Sequence, residues 1–398
     1  MAGLEIRRIS LPRAASTLAA GASHESAQTL KLLCVGDAMI GGASFVEAAS
    51  AALAAEVAGA EWESDAQRLQ HRRLVVEQQG PAAEEVPPSF LANPDVEIAL
   101  GLFCPFSAAG MDALPGLRVI GVARAGLENV DVEAVTVRGI AVIHVRGRNA
   151  EAVSDFAAGL ILAAARNIAR AHAGILAGEW PKRFANSEHL PELGERTLGI
   201  VGYGLIGRRL AEKMSGFGMR RIAYDPLAAP EPDSGVEAVS LEELLESSDF
   251  VSLHARLEAG NRHLIGAPEL ALMRPTSYLV NTARAGLLDT EALVAALRER
   301  RLAGAALDVF DTEPLPAGDP LLELDNVTLT SHIAGTTTDA LTRSPQLLVS
   351  TLSALLRGET GEIALANPVV LEDQRYREWA AAGAADLLGP GSRAESGS

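Results

Sequence analysis

The run TLGIVGYGLIGRRLAEKM, from Thr197 to Met214, restricts what this chain can fold into more than any other segment. Gly202, Gly204 and Gly207 form G-x-G-x-x-G directly after the apolar stretch Leu198 to Val201. A helical apolar pattern of Leu205, Leu210 and Met214 begins in the same run, with Ile206 beside Leu205. Asp225 closes the next apolar run, RIAYD, roughly 20 residues downstream. Glycines there let a diphosphate approach the backbone, the helix N-terminus favours its charge, and the acid accepts ribose hydroxyls. The order of strand, loop, helix, strand and acid therefore implies a dinucleotide site. It lies near residue 200, so a large piece of protein precedes it.

At 398 residues the chain is long enough for two domains. Aromatic residues make up only 4%, so the cores must be filled by Ala, Val, Leu and Ile. A net charge of -17 opposes binding to a phosphate backbone, and no nucleic-acid partner is expected. Cys34 and Cys104 are the only cysteines; they give no disulfide framework and suit a reducing cytoplasm. No apolar run is long enough to span a membrane, and no metal site is expected. Arg7, Arg8 and Arg13 precede small residues, but Glu5 interrupts them and no strong apolar centre follows. Residues 1–29 are expected to be a disordered extension, and 373–398 a short helix and flexible tail.

Apolar runs at Lys31–Val35, Val96–Phe103, Leu117–Val122 and Ile140–Val145 alternate with helical patterns, including an Ala-rich helix to about Val57. A long helix is expected over Ala150–Ala171, with Asn149 as its cap. Six further apolar strands begin at Leu198. The expected fold class is α/β with two doubly wound parallel sheets, a Rossmann domain inserted into a flavodoxin-like one. The division is a substrate domain over 30–150, a nucleotide domain over 151–337, and a return of the chain over 338–372.

Four segments place polar residues where strands of the second sheet end: His254 in VSLHARL, Asn281, Thr282, Ala283 and Arg284 in VNTARAG, Asp308 and Glu313 in ALDVFDTEP, and His332 in LTSHIAG. Singly, each has a plain explanation: a solvated loop arginine, a structural histidine, or turn chemistry before Pro314. Together they occupy successive strand ends, where ligands of open α/β sheets sit. Hydride transfer to a ketone needs a proton donor for the developing oxyanion, and histidine titrates near neutral pH. A carboxylate favours the imidazolium and fixes the ring, while a fork-shaped guanidinium grips a substrate carboxylate. His332, Glu313 and Arg284 match those roles.

With these motifs, and the terminal NPV of Asn367–Val369, the chain from about Lys31 to Val369 resembles the D-isomer-specific 2-hydroxyacid dehydrogenase family. The resemblance implies Arg284, Glu313 and His332 as catalytic residues. It also implies Asp308 on the nicotinamide side and His254 against the cofactor. It implies NAD as cofactor, a small anionic 2-hydroxy or 2-keto acid as substrate, and a homodimer through the nucleotide domain. AHAGILAGEW, Ala171–Trp180, resembles the start of the dimer arm; otherwise it is a surface helix.

The family cradles the substrate carboxylate on backbone N–H groups of its first domain. Here that segment, RAGLENVDV from Arg124, is two residues shorter, with Glu128 at a position usually small. Ala125, Gly126 and Leu127 are the expected cradle, flanked by Arg124. Arg146-Gly147 replaces the Pro-Gly of many relatives; Arg148 after it meets an anionic substrate tail or is a solvated loop residue. Asp225 repels a 2′-phosphate, and Pro226, Leu227 and Ala228 offer no arginine to hold one, so NAD(H) is expected over NADP(H). Two alternatives stand beside a 2-keto acid reductase. One is a relative using an unusual anion, such as a phosphonate-bearing aldehyde or keto acid, or phosphite. The other is a non-catalytic NAD-sensing regulator. Formate oxidation is disfavoured, because Glu313 stands where formate dehydrogenases of this fold carry Gln.

Overall fold

The computed structural model describes residues 30–361 and 363–382. The expected extension over 1–29 and most of the tail lie outside the described residues. The rest divides into two compact units, one of residues up to Arg148 and from Thr338 onward, the other of Asn149–Thr337.

The first unit holds a five-stranded parallel sheet in the order β2-β1-β3-β4-β5. Its strands are β1 Leu30–Asp37, β2 Ala55–Glu63, β3 Ile98–Gly101, β4 Val119–Val122 and β5 Ala141–His144. That order is flavodoxin-like. β3, β4 and β5 are buried at every position, as expected of strands covered on both faces. β2 corrects the sequence expectation: the Ala-rich helix ends at Ala52, and AEVAGAEWE is an edge strand. With one side unpaired and most of its residues partly exposed, β2 has no apolar run to reveal it.

The chain returns to this unit through helix Thr338–Leu356, whose Leu348, Val349, Leu352 and Leu355 join the same core as β1 and β4. Asn367, buried in the NPV motif, then clasps the open edge of β5. Its Oδ1 accepts from Val142 N at 2.9 Å, and its Nδ2 donates to Ile140 O at 2.9 Å and Thr136 Oγ1 at 2.8 Å. Helix Gln374–Ala381 ends the described chain, with Trp379 Nε1 donating to Glu97 Oε1 at 2.9 Å.

The second unit holds seven parallel strands in the order β12-β11-β10-β9-β6-β7-β8. They are β6 Thr197–Val201, β7 Arg220–Tyr224, β8 Glu237–Ala238, β9 Phe250–Leu253, β10 Tyr278–Asn281, β11 Gly304–Leu307 and β12 Val327–Leu329. The two-residue β8 is an edge strand beyond the six expected. The order reverses between β6 and β9, which makes the switch point of a Rossmann sheet.

The long helix expected over 150–171 is two helices, Ala150–Ala165 and Ile168–Leu176, bent by 67°. Asn167 breaks it by adopting the left-handed region at φ 58, which asparagine tolerates. Its Nδ2 donates to Asn186 Oδ1 at 2.7 Å, and Asn186 Nδ2 donates to Tyr278 OH at 2.6 Å. Asn149 stands at the N-cap but its side chain makes no capping bond, against the sequence expectation; the amide lies beside Gly335. Among the described residues no single helix is long and apolar enough to cross a membrane.

Asn367→Ala removes three hydrogen bonds and strands buried polar backbone on β5. The expected loss is about 2–4 kcal/mol of unfolding free energy in urea. A loss below about 0.5 kcal/mol would mean that β5 is not held by this clasp.

Candidate active site

The second unit gathers its polar residues at strand carboxyl ends. Gly202, at φ 95 after β6, passes so near the loop after β9 that a Cβ there would lie 2.3 Å from Ala255 N. A Cβ on Gly207 would lie 2.3 Å from Gly202 O, so the first turn of helix Leu205–Ser215 packs directly on the loop. Gly204, the N-cap, opposes nothing within 4 Å: the face in front of the helix N-terminus is open, next to Leu205 and Ile206. Asp225 holds the rim. Its Oδ2 accepts from Tyr203 N at 2.8 Å and its Oδ1 from Leu227 N at 2.8 Å and Ala228 N at 3.1 Å. The fold brings one arginine nearby that sequence spacing did not suggest. Arg208 lies 4.8 Å from the Tyr203 ring and is ion-paired to Glu231.

Two buried polar atoms at the next strand ends have no partner: His254 Nδ1 and Thr282 Oγ1. Ser252 Oγ lies 2.8 Å from His254 Nε2, and burial pushes the imidazole pKa down to about 4. An open helix N-terminus, a carboxylate rim and orphaned polar atoms in sequence along one edge fit a dinucleotide. Gly202, Gly204, Leu205, Ile206 and Gly207 would hold its diphosphate, Asp225 its ribose, and His254, Thr282 and Ala283 its other half.

The remaining strand ends, of β10, β11 and β12, are neighbours in the sheet. Asn281 shapes the first: its Oδ1 accepts from Ala283 N at 3.0 Å and its Nδ2 donates to Arg284 O at 2.9 Å. Arg284 is exposed there and donates to Ala283 O at 2.8 Å. Glu313 Oε1 accepts from Phe310 N at 3.0 Å, which fixes the carboxylate. His332, at φ 55, sets Nδ1 2.7 Å from Glu313 Oε2. Asp308 does more than the cofactor contact expected of it. Wholly buried, it accepts from Thr330 Oγ1 at 2.6 Å, Ile333 N at 3.0 Å and Ala334 N at 2.9 Å, on both sides of His332.

The first unit has its own cluster at the carboxyl ends of its strands. Arg124, 9% exposed, stacks 4.6 Å over the Phe103 ring and donates through Nη2 to Glu77 Oε1 and Glu128 Oε2, both at 3.0 Å. Glu128 folds back on Gly126, where a Cβ would lie 2.3 Å from its Oε2. Leu127 packs against the core, and its carbonyl accepts from Val130 N at 2.9 Å. His144, which sequence reasoning missed, donates from Nδ1 to Ala125 O at 2.9 Å and ties the loop after β4 to β5. Its one sequence signal is a polar residue closing the apolar run IAVIHV. Arg148 is half-buried, not the solvated loop residue considered from sequence, and its Nη1 reaches Ser344 Oγ at 3.5 Å. Among the described residues no His, Cys, Asp and Glu cluster suits a metal ion.

Residues 158–334 match the family described as D-isomer specific 2-hydroxyacid dehydrogenase, NAD binding domain. A glyoxylate reductase of Thermofilum pendens is 43% identical over 267 residues, covering 66% of this chain and 78% of that protein. A hydroxypyruvate reductase of Thermotoga maritima is 42% identical over 236 residues, 58% of this chain and 76% of its own. Among solved structures, a glyoxylate reductase from Paecilomyes thermophila aligns with a TM-score of 0.66 at 29% identity. That alignment covers 85% of this chain and 98% of the other. With this extent of likeness, the chain belongs to the D-isomer-specific 2-hydroxyacid dehydrogenase family and uses NAD(H).

Proposed function

We propose that this chain reduces a small 2-oxo acid, of the kind exemplified by glyoxylate and hydroxypyruvate, to the D-2-hydroxy acid, with His332 as its acid and base. One observation carries the reading: His332 Nδ1 stands 2.7 Å from Glu313 Oε2, and Glu313 follows β11, the neighbour of the strand that Arg284 follows. NADH, when bound, supplies the hydride for the carbonyl carbon. His332 then gives the Nε2 proton to the carbonyl oxygen as charge builds there. Glu313 holds Nδ1–H, fixes the ring and offsets the positive charge of the protonated form. Arg284, always charged, grips a carboxylate and polarises the carbonyl beside it. In the oxidation direction His332 takes the hydroxyl proton. In the first unit, the backbone N–H groups of Ala125, Gly126 and Leu127 are suited to receive an anion.

Helix Ile168–Leu176 supports a homodimer made through the nucleotide-binding unit. It buries none of its residues, and Ile168, Ile175, Leu176 and Trp180 are 57%, 48%, 75% and 78% exposed. Contiguous apolar side chains on a helix flank serve a partner surface. Buried free thiols at Cys34 and Cys104 agree with a cytoplasmic setting.

Steady-state NADH oxidation with glyoxylate and hydroxypyruvate tests the activity. His332→Ala is expected to lower kcat by about 10²–10⁴-fold while NADH affinity holds within about threefold. Retention of most of kcat would overturn the acid–base role, and tight NADH binding without any turnover would mark an NAD sensor instead. The double change Leu176→Glu with Trp180→Glu is expected to convert a particle of twice the chain mass into one of single mass by light scattering. An unchanged mass would place the dimer contact elsewhere.

A further inference from the structure

We propose that Arg148 receives a second oxyanion on the substrate, so that the preferred class is a 2-oxo acid bearing a carboxylate or phosphate beyond its α-carboxylate. The proposal rests on the 2-oxo acid reductase reading above and narrows it.

β4 and β5 are neighbours, and Arg124 and Arg148 follow their carboxyl ends. Arg124 is answered from within the chain: Glu77 and Glu128 each bond its Nη2 at 3.0 Å. Several other arginines of this unit are paired too, while Arg118 donates to backbone carbonyls and Arg68, Arg146, Arg343 and Arg377 are exposed. Arg72 pairs with Glu63 and Glu84, Arg73 with Glu77, Arg138 with Asp112, and Arg375 with Asp373. Among the described residues no carboxylate pairs with Arg148. Its one bond is a long one, 3.5 Å to Ser344 Oγ. That hydroxyl already donates to Ala340 O at 2.6 Å.

Asp37 is the acid whose field reaches Arg148, and it is committed elsewhere. It is 2% exposed and accepts from Met39 N, Ile40 N and Phe103 N. Burial also pushes the Asp37 carboxyl up to about 6. Burial first, and then the like charge of Arg124, pushes Arg148 down to about 10. A second sign of a missing partner lies next door: Arg124 Nη1 is buried with no acceptor. A desolvated guanidinium without a counter-charge is costly, and an incoming oxyanion removes that cost. The planar fork suits carboxylate and phosphate alike.

The loop between the two arginines explains why the anion belongs to the substrate's tail. Ala125 to Leu127 offer the α-carboxylate its backbone N–H groups, and His144 pins that loop to β5 through Ala125 O. Arg148 lies beyond the same strand β5. An acid with one carboxylate, such as glyoxylate, leaves Arg148 unanswered. One with a second acidic group answers it.

The test compares kcat/KM for glyoxylate and hydroxypyruvate with oxaloacetate, 2-oxoglutarate and 3-phosphohydroxypyruvate, in the wild type, Arg148→Gln and Arg148→Lys. The two carboxylate arms and the phosphate arm tell which tail group is used. The wild type is expected to favour at least one doubly anionic acid over glyoxylate. Arg148→Gln is expected to lower that preference about 10–100-fold, chiefly through KM, and Arg148→Lys to restore part of it. NADH affinity and the melting midpoint of each variant control for folding. A wild-type preference for glyoxylate overturns the proposal, as does a Gln variant that keeps the ratio or loses all substrates equally. In those cases the reductase reading survives. Absence of turnover with every oxo acid, in protein that binds NADH, overturns both.

Discussion

The Asp308 carboxylate lies wholly out of water at the end of β11, and accepts hydrogen bonds from Thr330 Oγ1, Ile333 N and Ala334 N. Those donors bracket His332, which sits between them at a positive φ that a non-glycine residue adopts only when its surroundings impose it. In the role proposed for His332, proton transfer would tolerate little misplacement of the imidazole. The Asp308 bonds therefore set the backbone of His332, and Glu313 sets the ring at 2.7 Å. Glu313 is fixed in turn by Phe310 N, in the loop that leaves β11. One strand end supplies both restraints.

A parallel sheet makes such concentration unavoidable. Each strand must be followed by a crossover, so every strand delivers its loop to the same edge. In the second unit the edge receives the glycine loop, Asp225, His254, Thr282, Arg284, Glu313 and His332 from six strands. Backbone packing leaves the cofactor side little choice of residue. A side chain at Gly202 or Gly207 would strike backbone, whereas the face of Gly204 is open. The first unit follows the same rule with different contents: arginines, glutamates and the small residues Ala125 and Gly126.

These rules explain which parts were legible in sequence. The glycine loop and its acid were readable because backbone geometry demands those residue types, and Arg284, Glu313 and His332 were visible as polar residues after apolar runs. The parallel strands of both cores were readable as apolar runs. β2 was not, since AEVAGAEWE at a sheet edge carries no apolar stripe and lies next to an Ala-rich helix. The break at Asn167 was equally silent. Its cause is a buried amide pair with Asn186, nineteen positions away, and a tyrosine from β10. Asp308 was visible as a polar residue, but its tie to the His332 loop depends on β11 and β12 lying side by side. Glu77 answers Arg124 from a helix that sequence periodicity does not relate to β4.

The two catalogues of charge differ in one physical respect. At the nucleotide-binding edge the carboxylates face donors that the fold itself supplies: backbone N–H groups, a threonine and a histidine. At the edge of the first unit, guanidinium groups and carboxylates lie together. Glu128 bonds Arg124, Glu77 is shared between Arg124 and Arg73, and Asp37 accepts from backbone. A folded chain tolerates an uncompensated, partly desolvated guanidinium where a ligand regularly supplies the missing charge, because otherwise a neutral residue would be the more stable occupant. The Glu128 carboxylate rests against Gly126 and Arg124. Arg148 has the same chemistry and no such internal carboxylate.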